Sequence, residues 1–167
     1  METLSKTRHN RRGSAVLEVG VTLVLLFGFL FLVMDLAMLV FIKSTLQQAT
    51  REGVRVGTTA RLVGTTSYLN DSITQVVQGE ALGFLNGNAG ACRIQINYYN
   101  ANTGAASNGT QGDVLVVSVN NYGYTPLGAL LKRGDPLYFS VSSSDILERC
   151  PIGGCPAAVN PHPISCP

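Results

Sequence analysis

The stretch from Val19 to Ile42 constrains this chain more than any other: about 24 consecutive residues in which Asp35 is the single ionisable side chain. As an α-helix it is roughly 36 Å long, enough to cross a hydrocarbon core of about 30 Å. A secretory signal has only about 7–15 apolar residues, followed by a small-residue cleavage site. Here Ile42 leads into polar "KSTLQQATREG", so the run reads as a permanent single span. The 167 residues leave room beside it for one small domain.

The net charge of +2 is weak, and its cations flank the run: Lys6, Arg8, Arg11 and Arg12 before it, Lys43, Arg51, Arg55 and Arg61 after it. That is a bilayer-flanking pattern, and Lys132, Arg133 and Arg149 are too scattered to neutralise a line of phosphates, so no nucleic-acid partner is expected. Three of the four cysteines, Cys150, Cys155 and Cys166, lie in the tail "CPIGGCPAAVNPHPISCP", and the fourth is Cys92. A tail too irregular to bury a core gains most from cross-links. All four cysteines are therefore disulfide candidates in an oxidising compartment, on the extracytoplasmic side of the span. A metal site that adds His162 is disfavoured because Cys-x4-Cys lacks knuckle spacing, so no metal or cofactor is expected. Arg11 and Arg12 beside the apolar start, together with the disulfide reading, place the N-terminus in the cytoplasm.

An ionised carboxylate inside a bilayer costs at least a few kcal/mol, so it is normally paired, protonated or functional. Glu18 stands at the head of the run, and no Lys or Arg follows it until Lys43. Either it sits at headgroup level or its partner lies outside its own span. The order Arg11-Arg12-Gly13-Ser14-Ala15-Val16-Leu17-Glu18 resembles the type IV prepilin signal, in which a prepilin peptidase cuts after the glycine on the cytoplasmic face. That resemblance implies Gly13 and Ser14 as the processing site. The new α-ammonium on Ser14 would pair with Glu18 of a neighbouring subunit, or with its own Glu18 at i,i+4, making Glu18 a subunit-pairing residue. Asp35 lies about 100° round the helix from Glu18 and reads as a separate intramembrane polar contact.

Across about 50 residues, "RRGSAVLEVGVTLVLLFGFLFLVMDLAMLVFIKSTLQQATREGVRVGTT" is similar to the TadE-like family, the minor pseudopilins of tight-adherence (Tad, or Flp-type) pilus systems. The matching pieces are the Arg-Arg-Gly and Glu18 head, the Gly28 and Asp35 break, and "TLQQATREGVR" from Thr45 to Arg55. A looser similarity continues through "DVLVVSVNNYGYTPLGALLKRGDPLYFSVSSSDILER". Val19 stands where major Flp pilins carry tyrosine, and the chain is much longer than those pilins. Both departures argue for a minor subunit, and the Cys-rich tail has no family counterpart.

The resemblance implies a minor pseudopilin in the bacterial inner membrane that takes part in Tad/Flp pilus assembly and surface adherence, in the fibre or in the membrane platform. Its implied partners are a prepilin peptidase, other pilins and pseudopilins, the inner-membrane assembly platform and membrane lipid. The alternative is an uncleaved, single-pass, membrane-anchored extracytoplasmic binding protein.

The expected organisation is a leader at 1–13, a span at 14–42, an amphipathic stalk at 43–66, a head at 67–149 and a Cys/Pro-rich tail at 150–167. Ile42, Leu46, Ala49, Gly53, Val56 and Ala60 recur at spacings of four and three, so the membrane helix should continue as a stalk to near Arg61, with Lys43, Gln47, Arg51 and Arg55 outward. A second helix is expected from Asn70 or Asp71 through Leu85, ending at "NGNAG". The period then changes to two. "CRIQINYY", "DVLVVSVNNY" and "PLYFSVSSS" read as three strands, and the Pro126/Gly128 segment reads as a turn in which "LGALL" forms a helical turn. The fold class is thus α+β: a long pilin-like helix and a head of one helix and a small antiparallel sheet. His9 and His162 lie in the leader and the tail, and no nucleophile, metal or phosphate-loop motif is present in the sequence. An enzyme is therefore not expected.

Overall fold

A computed structural model describes residues 8–65, 67–126 and 136–148, with side chains from residue 15 onward. The elements in chain order are α1 (Arg8–Thr58), α2 (Leu69–Glu80), α3 (Gly87–Ala91), β1 (Ile94–Asn100), β2 (Asp113–Tyr124) and β3 (Leu137–Ile146). This is the expected α+β class: one long helix, short helices and a three-stranded antiparallel meander in the order β1-β2-β3. Two compact units share the chain. One takes in the described residues of 1–39 and 125–136, the other those of 40–124 and 137–167.

The second unit, the head, is built on the stalk half of α1. Ile42, Leu46, Ala49, Gly53, Val56 and Ala60 are all buried, while Lys43, Gln47, Arg51 and Arg55 are exposed, as their spacing requires. The small residues admit the rest of the head. A Cβ on Gly53 would overlap Val77 of α2, and one on Gly57 would overlap Leu115 of β2. The surface that closes on Gly53 and Gly57 is therefore the chain's own head. Helix α1 ends in a Schellman-type motif: Arg61 N–H donates to the Val56 carbonyl and Ala60 N–H to that of Gly57, with Ala60 at φ 48°. The helix thus ends at Thr58, slightly short of Arg61.

Helix α2 departs from the sequence expectation at both ends. Its N-cap is Tyr68, so Asn70 and Asp71 fall inside the first turn, where Asp71 complements the helix dipole. It ends at Glu80 because Leu82 and Gly83 both take positive φ, and Phe84 N–H closes a tight turn onto the Ala81 carbonyl. The segment "NGNAG", expected to terminate that helix, contains the short α3 instead. The Gln78 side-chain amide donates to the carbonyls of Leu85 and Gly87 and so ties this turn to α2.

The sheet lays one face on α1 and α2. Leu115, Val117 and Val119 of β2 are fully buried, with Tyr98 of β1 and Val141 of β3 beside them. A β-bulge interrupts β2. Val119 pairs with Val141 but Tyr122 pairs with Phe139, and the extra residue is accommodated by Asn121 at φ 53°. Without that residue Tyr122 would point away from the core, and with it Tyr122, Tyr124 and Phe139 pack against the core. The expected strands are present, β1 starting at Ile94. "LGALL" and the tail from Arg149 lie outside the described residues.

One end of the head is set against the start of the stalk. Going down α1, Gly57 meets Leu115 and Ile73, Gly53 meets Val117 and Val77, and Phe41 meets Phe84. Strand β2 therefore runs antiparallel to α1. Its end at Tyr122, the start of β3 and the turn Ala81–Leu85 lie level with Phe41, at the proximal end. The connection from Asn100 to Asp113 lies at the distal end.

Candidate functional site

Along α1, from Val16 to Phe41, the large apolar side chains are exposed on every face of the helix apart from a narrow stripe. Among the described residues this is the one helix long and apolar enough to cross a membrane. A surface this large and this apolar requires lipid or other helices around it. The carboxylate of Glu18 stands at its beginning. Glu18, Val19, Thr22, Leu23 and Leu26 line a shallow groove on one helix face. Thr22 donates its hydroxyl back to the Glu18 carbonyl at 2.8 Å, which satisfies the threonine without engaging the carboxylate. Among the described residues the Glu18 carboxylate has no hydrogen-bond or ion-pair partner.

Gly13 and Ser14 lie within the helical backbone of α1, which runs unbroken from Arg8. Their side chains, like those of Arg11 and Arg12, lie outside what is described. Ser14 is one helical turn before Glu18, about 6 Å along the axis.

Asp35 is different in kind. It is buried, 3 % exposed, and is not without a partner. Gly28, Leu32 and Leu39, the half-buried residues of the apolar run, fall with it at spacings of four, three and four. Continuing through Ile42 and Leu46, they extend the buried stripe of the stalk down α1 as one helix face. The sequence reading began this stripe at Ile42 and treated Asp35 as an isolated acid. The same spacing, followed toward the N-terminus, would have put Asp35 in phase with it. Exposed Glu18 and buried Asp35 therefore have separate surroundings on different faces of α1.

Of the disulfide candidates, Cys92 caps α3 at the proximal end of the head and is not a free thiol, while Cys150, Cys155 and Cys166 lie outside the described residues. The polar clusters of the head are structural in geometry. Tyr98 donates its phenol to Asn70 Oδ1 at 2.6 Å, and burial pushes its pKa up to about 12. Asp113 Oδ2 accepts from the hydroxyls of Ser107 and Thr110 and from Thr110 N–H. Those hydrogen bonds, Ser107 foremost, hold its carboxyl below the usual range against the opposing effect of burial. Both clusters pin the distal loops. Sequence reasoning singled out neither, although the alternation that buries Tyr98 and Asp113 was a signal for them.

Residues 13–55 match the model of a family described as TadE-like protein, a segment that begins at Gly13 and ends at Arg55 in the stalk. The match associates the chain with Tad pilus systems and, in general terms, with pilus-related protein interactions. No curated protein and no solved structure matches the chain.

Proposed function

We propose, with the TadE-like segment at residues 13–55 as the premise, that this chain is a minor pseudopilin of a Tad/Flp-type pilus assembly machine. It enters the inner membrane with its N-terminus in the cytoplasm, is cut after Gly13 by a prepilin peptidase, and carries its α+β head outside. The observation that supports this best is a Glu18 carboxylate without a partner among the described residues, at the head of a helix whose apolar surface is open on nearly every face. An acid in that position costs free energy unless a cation meets it, and cutting after Gly13 creates one on Ser14 of a neighbouring chain. Glu18 then fixes the axial register between helices that would otherwise slide on featureless apolar surfaces. In this reading the protein works by assembly with other pilins and the membrane platform, in adherence, and has no catalytic role.

The test has two parts. The N-terminal sequence of the membrane-purified chain should begin at Ser14 when a prepilin peptidase is co-expressed and at Met1 without it. Glu18→Ala should insert normally yet abolish pilus assembly. A chain that keeps Met1–Gly13 in both samples, with Glu18→Ala assembling as wild type, would favour the second reading, an uncleaved single-pass anchor bearing an extracytoplasmic binding head. The unbroken helical backbone of α1 across Gly13 and Ser14 is the observation on that side, since a protease must unwind it.

A further inference from the structure

The proximal end of the head carries an aromatic cluster that starts on the membrane helix itself. Phe41 stacks edge-on against Phe84 with centroids 6.3 Å apart, Phe84 meets Tyr122 at the same separation, and Tyr122 meets Phe139 at 5.4 Å. Arg93 lies over the Tyr122 ring at 5.6 Å and donates to the Asn121 carbonyl of the bulge. Phe41 belongs both to this cluster and to the last turn of the apolar run.

The two most exposed large apolar side chains described in the head, beyond α1, lie around this cluster. Leu82 is 68 % exposed and Tyr138 is 65 % exposed. Both lie at the proximal end, Leu82 at the tip of the Ala81–Leu85 turn and Tyr138 opposite Gly123 at the hairpin end, with Leu137 beside it at 41 %. Leu82 holds its position in a positive-φ turn that a leucine does not favour. The distal end exposes Ile146, Leu62 and Tyr99 to a lesser degree, beside the polar connection "ANTGAASNGTQG" and away from the apolar run. Single exposed leucines need no explanation, but this ring borders the residue at which the helix leaves its apolar stretch.

We propose that the proximal rim of the head rests on the outer leaflet of the bilayer, with Leu82, Leu137 and Tyr138 in the lipid interface beside Phe41. This rests on the single-span reading above. Such a rim is the membrane-interface use of tyrosine and other amphipathic side chains, whose apolar body faces acyl chains and whose polar tip stays wet. The nearby described charges are Lys43, Arg93 and Glu80, which leave one net positive charge. The docking proposed is by apolar contact, for which a zwitterionic phospholipid surface is sufficient.

The chain contains no tryptophan, so one introduced indole reports a single place. The full chain is reconstituted in phosphatidylcholine vesicles with and without bromine on the upper acyl carbons, carrying Leu82→Trp, Tyr138→Trp, Asn102→Trp at the exposed distal loop, or Leu30→Trp in the span. Brominated lipid should quench Leu82→Trp and Tyr138→Trp several-fold more than Asn102→Trp. Rim indoles as unquenched as Asn102→Trp, with Leu30→Trp quenched, overturn the docking and leave the span intact. Blue-shifted but unquenched rim indoles overturn it in favour of cover by protein, such as a second copy. An unquenched Leu30→Trp overturns the span itself and the docking with it.

Discussion

Gly53 is the position at which the packing of stalk and head can be measured most directly. It lies in the interior of α1, and a Cβ there would overlap Cγ2 of Val77 and touch Cγ2 of Ile73 at 3.4 Å, both residues being fully buried on α2. A β-branched valine in a helix has essentially one χ1 rotamer, so Val77 cannot swing aside. Gly79 is the internal control: it is also helical, but a Cβ there has nothing within 4 Å. Each alanine gains roughly 0.5–1 kcal/mol of helix propensity. Gly53→Ala additionally carries an overpacking cost of about 1–3 kcal/mol. Gly79→Ala should therefore stabilise the head, Gly53→Ala should be neutral to destabilising by up to about 2 kcal/mol, and the difference between them isolates the steric cost. The assay is urea unfolding of the head in the detergent-solubilised full chain, followed by near-UV circular dichroism of the tyrosines. With an m-value of about 1–3 kcal/mol/M, a 2 kcal/mol difference separates the two midpoints by roughly 0.7–2 M. Equal stabilisation by both substitutions would refute the close approach of α1 and α2 and the account of the buried stripe.

Three further outcomes follow from the head's geometry. Because hydrogen bonds lower the folded-state pKa of Asp113, its stabilisation is present above the unfolded-state value near 4 and is lost as pH falls through the folded value; Asp113→Asn should flatten the acid limb of the unfolding midpoint against pH. Tyr98 is raised from 10.0 to about 12 by burial, so its contribution is complete below pH 10 and disappears as pH rises through that window, and Tyr98→Phe should remove that loss while costing roughly 0.5–1.5 kcal/mol at neutral pH. Cys92 should be cross-linked to Cys155 or Cys166 and not to Cys150. Leu147 pairs with Asp113 at the distal end while Cys92 lies beyond the Ile94–Val119–Val141 level, about 20 Å or more along the strands. Three residues reach at most about 11 Å and a disulfide adds about 6 Å between Cα atoms, so non-reducing peptide mapping that found Cys92–Cys150 would contradict the strand order.

Local chemistry alone determined much of this molecule. The apolar run, the burial of Ile42, Leu46, Ala49, Gly53, Val56 and Ala60, and the period-two strands are legible because each follows from one helix or strand period and the exclusion of apolar groups from water. Glu18 stood out because a carboxylate at the start of a span is anomalous in itself, whereas the TadE-like character of the segment was read from its resemblance to that family. Other features depend on what comes from far along the chain. Helix α2 stops at Glu80 because Leu82 and Gly83 turn the chain so that Phe84 reaches Phe41 and Tyr122. The bulge at Asn121 depends on the register with β3, which no pattern within β2 encodes, and it decides that Tyr122 joins the core. The buried stripe of the stalk was readable, but that Val77 and Leu115 of the same chain close on its glycines is a tertiary fact. Periodicity fixes which face of an element is apolar; only packing fixes which distant side chains cover it.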